Sequence, residues 1–420
     1  MRVVGSLATK YAPPYSLILH YFIAGIIFNI LGILSILLFT GGFNLPFYTL
    51  KYAASVHLLL LGFIVMIIFG ALYQLIPVAL EIPVYSFKIG YIQFYLYLIG
   101  IVLFVFSLFK AEFFHLLPIG AMFIYISILL FIANFLISLR NLEVKSITSR
   151  FLIVANISLF IGASLGVFLS FNFIYGLYPK IVSLIIGHIV FTLFGFVFMV
   201  IMGVSMVLLP MFSLAHKFND KYINTAFVLA VISIFIGGTS IIITGSVYAI
   251  AATFILIAAT LFLYILQVSE IYKRRPRKTK DIGIDTMFLS HFILILAILA
   301  YFSILISKHI VFTAFILTVL GFINTLIYGS LYKIIPFLTW FHRFSSLVGK
   351  RKVPMLSDML PKKLPGYQIT IFLVGLLIVV FSELFNLNGL IEIIGIITMA
   401  FGSLLFLYTI FYVLNFKLEE

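Results

Sequence analysis

Apolar residues fill long stretches of this chain, and polar residues collect in short clusters between them. Runs of eighteen or more residues with few charges recur along the whole length, which is the pattern of transmembrane helices. Clusters of Pro, Gly and charged residues separate the runs and predict an all-α membrane protein with twelve spans. The predicted spans cover residues 14–40, 52–80, 88–109, 114–138, 150–173, 181–211, 223–244, 247–269, 286–306, 309–335, 368–382 and 389–415.

Basic residues are divided unequally between the two sets of loops that join these spans. The loops on the side of the N-terminus carry 22 of the 26 Lys and Arg residues, and the opposite loops carry Lys51, Lys110, Lys180 and Lys308. Cytoplasmic loops hold the excess of Lys and Arg in membrane proteins. Both termini are therefore predicted to be cytoplasmic, in a multi-pass protein of a prokaryotic inner (cytoplasmic) membrane.

Composition excludes several classes of protein. Only 9% of the residues are charged, whereas a soluble domain averages about 25%. The net charge of +14 is concentrated in loops such as residues 272–280 and 340–364, where anionic lipid headgroups are the expected partner and nucleic acid is not. The absence of Cys excludes disulfides, Fe–S clusters and thiolate zinc sites. A bound metal or cofactor would have to be held by His, Met, Tyr or carboxylate side chains.

One pattern occurs three times: Gly-Phe, six residues, Gly, six residues, Pro. The copies fall in the second, sixth and tenth spans and predict three parallel four-helix repeats, approximately residues 1–140, 141–272 and 273–420, within a single membrane domain of residues 1–420. Each Pro is expected to end its helix at the cytoplasmic side. The copies are Gly62-Phe63…Gly70…Pro77, Gly195-Phe196…Gly203…Pro210 and Gly321-Phe322…Gly329…Pro336, with Tyr73, Met206 and Tyr332 four residues before the respective Pro.

The paired glycines have two interpretations. Two glycines eight residues apart allow close approach to the helix backbone, either by another helix or by a flat ligand. Packing between helices is the simpler interpretation. The alternative is an apolar slot for heme lined by Gly62 and Gly70.

The predicted architecture resembles subunit I of the heme-copper oxidases. That family has twelve spans in three four-helix units, and its second, sixth and tenth helices carry the metal ligands. The resemblance covers nearly the whole chain at the level of architecture, and it is closest in the segments His57–Phe63 and Gly70–Pro77. The NnrS membrane heme proteins are similar in size and number of spans. The resemblance implies a b-type heme, a copper ion as a further metal, and electron transfer or nitric oxide or oxygen handling with a cytochrome or quinol partner.

Three histidines are the candidate ligands for heme or copper. An ionisable residue inside a membrane span is a functional candidate by default, and the resemblance implies that His57 binds heme and that His188 binds copper. His309 shares the azimuth of His57 within its repeat, but their depths differ by roughly 10 Å at 1.5 Å per residue. The alternative for His57 and His188 is a neutral imidazole hydrogen-bonded within the bundle. The family's pair of adjacent histidines for copper is missing here, so a complete oxygen-reducing site is not expected.

The carboxylates weigh against a proton-driven transporter. All twelve lie in loops or at the ends of predicted spans, and Glu392 enters the last span by only one turn. Two other functions stay open on the sequence alone: a cofactor-free transporter or channel, and a non-catalytic assembly subunit of a respiratory complex. Whether the protein is an enzyme also stays open.

Overall fold

A computed structural model describes residues 12–39, 50–142, 146–276, 280–303 and 310–417. Within these ranges twelve helices are long and apolar enough to cross a membrane, which confirms the prediction of an all-α, multi-pass membrane protein. The helices are α1 Tyr15–Leu38, α2 Leu50–Ala79, α3 Phe87–Phe109, α4 Ala111–Ser138, α5 Ile147–Tyr175, α6 Ile181–Ser213, α7 Lys221–Thr244, α8 Val247–Lys273, α9 Ile282–Phe302, α10 Val311–Arg343, α11 Leu364–Leu384 and α12 Gly389–Leu414.

The helices of the threefold pattern differ in how far they continue beyond the proline. Helix α2 ends at Ala79 and α6 at Ser213, within three residues of it, whereas α10 continues to Arg343. The prediction that the proline ends the helix was therefore wrong for α10. Pro77, Pro210 and Pro336 lie inside α2, α6 and α10, respectively. A proline removes one hydrogen-bond donor and strains the preceding turn, but packing can stabilise the helix beyond it. In α10 the buried side chains of Leu338 and Thr339 follow the proline. Helix α10 therefore continues to Arg343, past the predicted end of its span at residue 335.

Local turn chemistry ends and restarts helices at short connections. Helix α5 is followed by Gly176, and α7 by Gly245, both in the left-handed conformation with φ near +60° that glycine adopts without strain. Ser246 then caps α8, because its Oγ accepts a hydrogen bond from the backbone N–H of Tyr248. These caps let antiparallel neighbours follow one another with few connecting residues.

The chain forms two compact units. The first comprises Met1–Tyr21 and Ile68–Lys278, and the second comprises Phe22–Ile67 and Thr279–Glu420, as far as these ranges are described. The division passes through α1 and α2. The organisation into three repeats of four helices stays a prediction.

Aromatic side chains fill the core of each unit. In the first unit, the Phe69 ring lies 4.5 Å from that of Phe131 and 5.2 Å from that of Tyr97, measured between ring centroids. In the second unit, the Tyr328 ring lies 4.2 Å from the ring of Phe406. Buried tyrosines need hydrogen-bond partners for their hydroxyl groups, and these partners define the polar clusters described below.

Helices α2, α6 and α10 share a local distortion at the Gly-Phe step of the pattern. Each contains a π-helical segment around that step: Leu58–Val65, Val190–Phe198 and Leu317–Ile323. The phenylalanine of the step is at most 1% exposed in all three copies. A fourth π-helical segment, Ile232–Gly237 in α7, lies outside the pattern. Segments of this kind are rare and are often found at functional sites.

Candidate functional site

His57 lies in α2 directly before the π-helical segment Leu58–Val65. Its Nδ1 is 2.6 Å from the carbonyl oxygen of Ala53, one turn earlier. Because a carbonyl can only accept, Nδ1 carries the proton, and in a neutral ring the lone pair is then on Nε2. A histidine that binds a metal commonly has its other ring nitrogen held by a backbone carbonyl in this way.

The space beside Gly62 is filled by another helix. A Cβ atom at Gly62 would lie 2.9 Å from Cβ of Phe28 on α1. Gly70, the second glycine of this copy, is buried. The glycine face of α2 at Gly62 is thus a packing face for α1, and the residues there do not fit a flat ligand.

The other two copies of the pattern pack in the same way. A Cβ at Gly195 would come within 2.7 Å of Cβ of Ser158 on α5, and a Cβ at Gly321 within 2.6 Å of Ile293 on α9. The first glycine of each copy therefore contacts the helix that opens its own predicted four-helix repeat: α1, α5 or α9. Close packing between helices accounts for these glycines.

His188 joins two helices of the first unit. Its Nδ1 donates to the carbonyl oxygen of Gly162 on α5, 2.8 Å away. The ring also packs on the backbone of α5, since a Cβ at Gly166 would lie 3.0 Å from the Cε1 atom of His188. These contacts agree with the interpretation of His188 as an imidazole hydrogen-bonded within the bundle.

The candidate ligands do not form a metal cluster within the described residues. His57 belongs to the second unit and His188 to the first, and His309 lies outside the described residues. In the described ranges, no group of three or more His, Asp or Glu side chains is placed to hold a metal ion. The assignment of copper to His188 stays a prediction.

The tyrosines of the first and third copies of the pattern make the same hydrogen bond. Tyr73 of α2 donates to Oε1 of Gln93 on α3, and Tyr332 of α10 donates to Oε1 of Gln368 on α11, each across 2.7 Å. Both glutamines are fully buried. The sequence identified both tyrosines through the pattern but not their partners, because an isolated Gln near a span end carries no distinctive signal.

A second polar cluster lies in the core of the second unit. The side-chain amides of Asn29 on α1 and Asn324 on α10 exchange hydrogen bonds of 3.2 and 3.3 Å. Asn29 also donates to the hydroxyl of Tyr328, which donates to Ser403 on α12. This network connects three helices through groups that are fully buried.

Two carboxyl side chains at the turn between α11 and α12 are more buried than their positions in the sequence indicate. Glu392 is only 5% exposed, and Glu383 is half-buried. The Oε1 atom of each is buried without a hydrogen-bond partner. The sequence had placed both residues at span ends, where carboxylates are normally solvated.

Comparisons with known proteins assign no family to this chain. No protein-family model matches it, and no curated protein matches its sequence.

Proposed function

We propose that this integral membrane protein has an oxidase-like architecture and binds a b-type heme through His57. The observation that supports the proposal is the position of His57 at the junction between α-helix and π-helix in α2, with Nδ1 held by the Ala53 carbonyl. That arrangement leaves Nε2 as the nitrogen that would ligate the iron of a bound heme.

The imidazole fits a heme, but the slot predicted beside Gly62 does not. Phe28 occupies the space next to that glycine, so Gly62 would not line a heme site. A bound heme would supply one-electron transfer or the binding of a diatomic gas. The chain would contribute the imidazole and an apolar surrounding that excludes water.

The proposal includes three parallel four-helix repeats with both termini in the cytoplasm. Three features support the repeats: the π-helical segments at each Gly-Phe step, the contact of each first glycine with the opening helix of its repeat, and the matching Tyr–Gln hydrogen bonds of α2 and α10. The distribution of Lys and Arg supports the orientation.

The proposed partners are a cytochrome or quinol as electron donor and anionic lipids at the basic loops. In the loop after α10, Trp340 donates its indole N–H to the carbonyl oxygen of Pro354 across 2.9 Å. This bond holds the loop against the end of the helix. The loop exposes Lys350 and Arg351, which suit phosphate headgroups.

An optical spectrum of the purified protein tests the heme. Protein expressed with ample heme is expected to show a Soret band, and His57→Ala is expected to shift or abolish it. His20→Ala is the matched control, because Nδ1 of His20 also bonds the carbonyl four residues earlier. A wild-type protein without a Soret band would refute the proposal and leave a transporter, a channel or an assembly subunit.

A cofactor-free transporter or channel is the second candidate, and the buried carboxyls favour it. Glu392 is buried in the second unit, and buried carboxylates mark ion and proton pathways in membrane proteins. Flux of an ion or proton into liposomes that survives His57→Ala but fails in Glu392→Gln would support this candidate. Equal flux in the wild type and in both variants would show that Glu392 does not contribute to transport.

A further inference from the structure

A polar patch lies on the lipid-facing surface between α1 and α3, near the ends where both helices begin. This α1–α3 patch consists of Ser16 and His20 on α1 and of Tyr91 and Tyr95 on α3. Ser16 and Tyr95 are exposed, and His20 and Tyr91 are partly exposed. His20 lies roughly 7.5 Å along α1 from Tyr15, at about 1.5 Å per residue. Ionisable side chains inside membrane spans usually face the interior of the bundle, so an imidazole on the outer surface is a candidate for binding a ligand.

The hydrogen bonds of His20 determine which of its ring nitrogens accepts. Its Nδ1 lies 2.6 Å from the carbonyl oxygen of Ser16. Because a carbonyl only accepts, Nδ1 carries the proton, and Nε2 of the neutral ring is an acceptor. Among the described residues the partner of Nε2 is the hydroxyl of Tyr95 at 3.5 Å, which is longer than the usual hydrogen bond of about 2.7–3.2 Å. Nε2 can therefore accept a shorter bond from a ligand that carries a hydroxyl group.

The hydroxyl groups of Ser16 and Tyr91 supply a donor beside this acceptor. Their oxygen atoms lie 2.6 Å apart. Each hydroxyl has one hydrogen, so one group donates to the other and the second hydrogen is left for a further acceptor. Ser16 lies one turn before His20 on α1, so the α1–α3 patch offers a donor and an acceptor side by side.

Aromatic rings surround the imidazole of His20. The ring centroids of Phe94, Tyr91 and Tyr95 lie 5.3, 6.0 and 6.1 Å from that of His20, and each ring is edge-on to it. Phe94 is buried, whereas the Tyr95 ring is exposed. Aromatic rings pack on one another at centroid distances of about 4.5–7 Å. The α1–α3 patch therefore suits a flat ring that carries hydroxyl groups.

The arrangement of donors and acceptors distinguishes a hydroxyl ligand from a lipid phosphate. Lys88 is exposed one turn before Tyr91 on α3, and by itself it would suit a phosphate headgroup. The oxygen atoms of a phosphodiester only accept hydrogen bonds, and so does Nε2 of His20 in this tautomer. The hydroxyl of a quinol can donate to Nε2, and its oxygen can accept from Ser16 or Tyr91. The patch therefore favours a quinol over a phosphate.

We propose that the α1–α3 patch binds the ring of a membrane-dissolved quinol, with Nε2 of His20 accepting a hydrogen bond from one of its hydroxyl groups. Tyr91 and Tyr95 pack against the ring. The exposed side chains of Ile92 and Ile99 continue the same surface of α3 and suit the apolar tail of the quinol. This proposal rests on the proposed function, in which a quinol is one of two possible electron donors, and it adds the place where the quinol binds.

Isothermal titration calorimetry in detergent tests the site, with a decyl-substituted benzoquinol under argon as the probe. Full-length protein prepared without added heme is used, so that electron transfer contributes no heat. The wild type is expected to bind the quinol saturably, and to bind the quinone with the same tail at least about tenfold more weakly, because the quinone has no hydroxyl to donate to Nε2. His20→Ala is expected to weaken quinol binding at least about tenfold and to remove the preference for quinol over quinone, because the acceptor is lost.

His115→Ala is the matched control, since His115 is exposed in α4 outside the patch, and it is expected to bind the quinol like the wild type. Tyr95→Ala, at an exposed position, covers the case in which His20→Ala does not fold, and it is expected to weaken quinol binding because it removes one aromatic contact. The proposal would be overturned by a wild type without saturable quinol binding, by equal affinities for quinol and quinone, or by unchanged quinol affinity in either variant.

A lipid headgroup is tested in the same assay with phosphatidylglycerol as the competitor. Saturable binding of this lipid that excludes the quinol from the wild type would overturn the proposal and assign the patch to a headgroup. The quinol assay needs no heme. A protein that binds the quinol but shows no Soret band after expression with ample heme would therefore refute the heme and leave this site standing.

Discussion

The hydroxyl of Tyr332 on α10 donates a 2.7 Å hydrogen bond to Oε1 of Gln368 on α11. The same bond joins Tyr73 on α2 to Gln93 on α3. The two tyrosines occupy the same position in the first and third copies of the Gly-Phe pattern, and Met206 takes that position in the second. The bond is therefore associated with the pattern, and the copy with Met206 lacks the hydroxyl that makes it.

Removing the hydroxyl of Tyr332 is expected to destabilise the protein. In Tyr332→Phe the fully buried Oε1 of Gln368 loses its donor, and an unsatisfied buried group costs about 1–3 kcal/mol. Thermal unfolding in detergent measures the change. Tyr412→Phe, at an exposed position on α12, is the control and is expected to match the wild type. Equal stability of both variants would show that the Tyr332 bond contributes nothing.

The glycines of the pattern are expected to tolerate no side chain. A Cβ at Gly329 would lie 2.8 Å from the carbonyl oxygen of Gly283 and 2.8 Å from the backbone N of Met287. Backbone atoms cannot move aside, so Gly329→Ala must separate α10 from α9 and is expected to cost about 1–3 kcal/mol.

The control for that substitution is Gly366→Ala in the first turn of α11. No atom lies within 4 Å of a Cβ at Gly366, and alanine lowers the entropy of the unfolded chain, so this change is expected to be neutral or slightly stabilising. Unfolding measurements on both variants check the contrast. Equal effects of the two substitutions would contradict close packing at Gly329.

The membrane-spanning helices of this fold could be predicted from the sequence, because a membrane requires long apolar helices. The segments around Gly62, Gly195 and Gly321 were also identifiable, because three copies of one spacing stand out from an otherwise uniform apolar background. The π-helical segments at those glycines could not be predicted from the sequence, since they depend on how each helix packs against its neighbours. The passage of α10 through Pro336 depends on the same packing.

Burial of single polar groups was the least predictable property. Glu392 looks interfacial in the sequence, one turn into the last span. It is only 5% exposed, in the first turn of a helix that packs closely on α11 at Gly375 and Gly395. The sequence was enough to predict His57 as a candidate ligand. It could not show that Phe28 fills the space beside Gly62, which depends on the tertiary structure.

The Asn29–Asn324 pair is expected to couple α1 to α10. Asn324→Ala leaves the side-chain amide of Asn29 with fewer hydrogen-bond partners, and Asn29→Ala does the same to the amide of Asn324. The double variant is expected to lose less stability than the sum of the two single variants, by about 0.5–2 kcal/mol. A double-mutant cycle of unfolding free energies measures this coupling. Strict additivity would mean that the two amides stabilise the protein independently.

The orientation in the membrane is expected to follow the Lys and Arg distribution, and the absence of native Cys makes it directly measurable. Ser346→Cys, in the exposed loop after α10, is expected to react with a membrane-impermeant maleimide only when the cytoplasmic face is accessible. Leu177→Cys, in the exposed connection after α5, is expected to react only from the opposite face. The Cys-free wild type controls for background labelling. Reaction of both variants from the same face would contradict the predicted topology. If Ser346→Cys reacts only from the outer face and Leu177→Cys only from the cytoplasmic face, the basic loops lie outside.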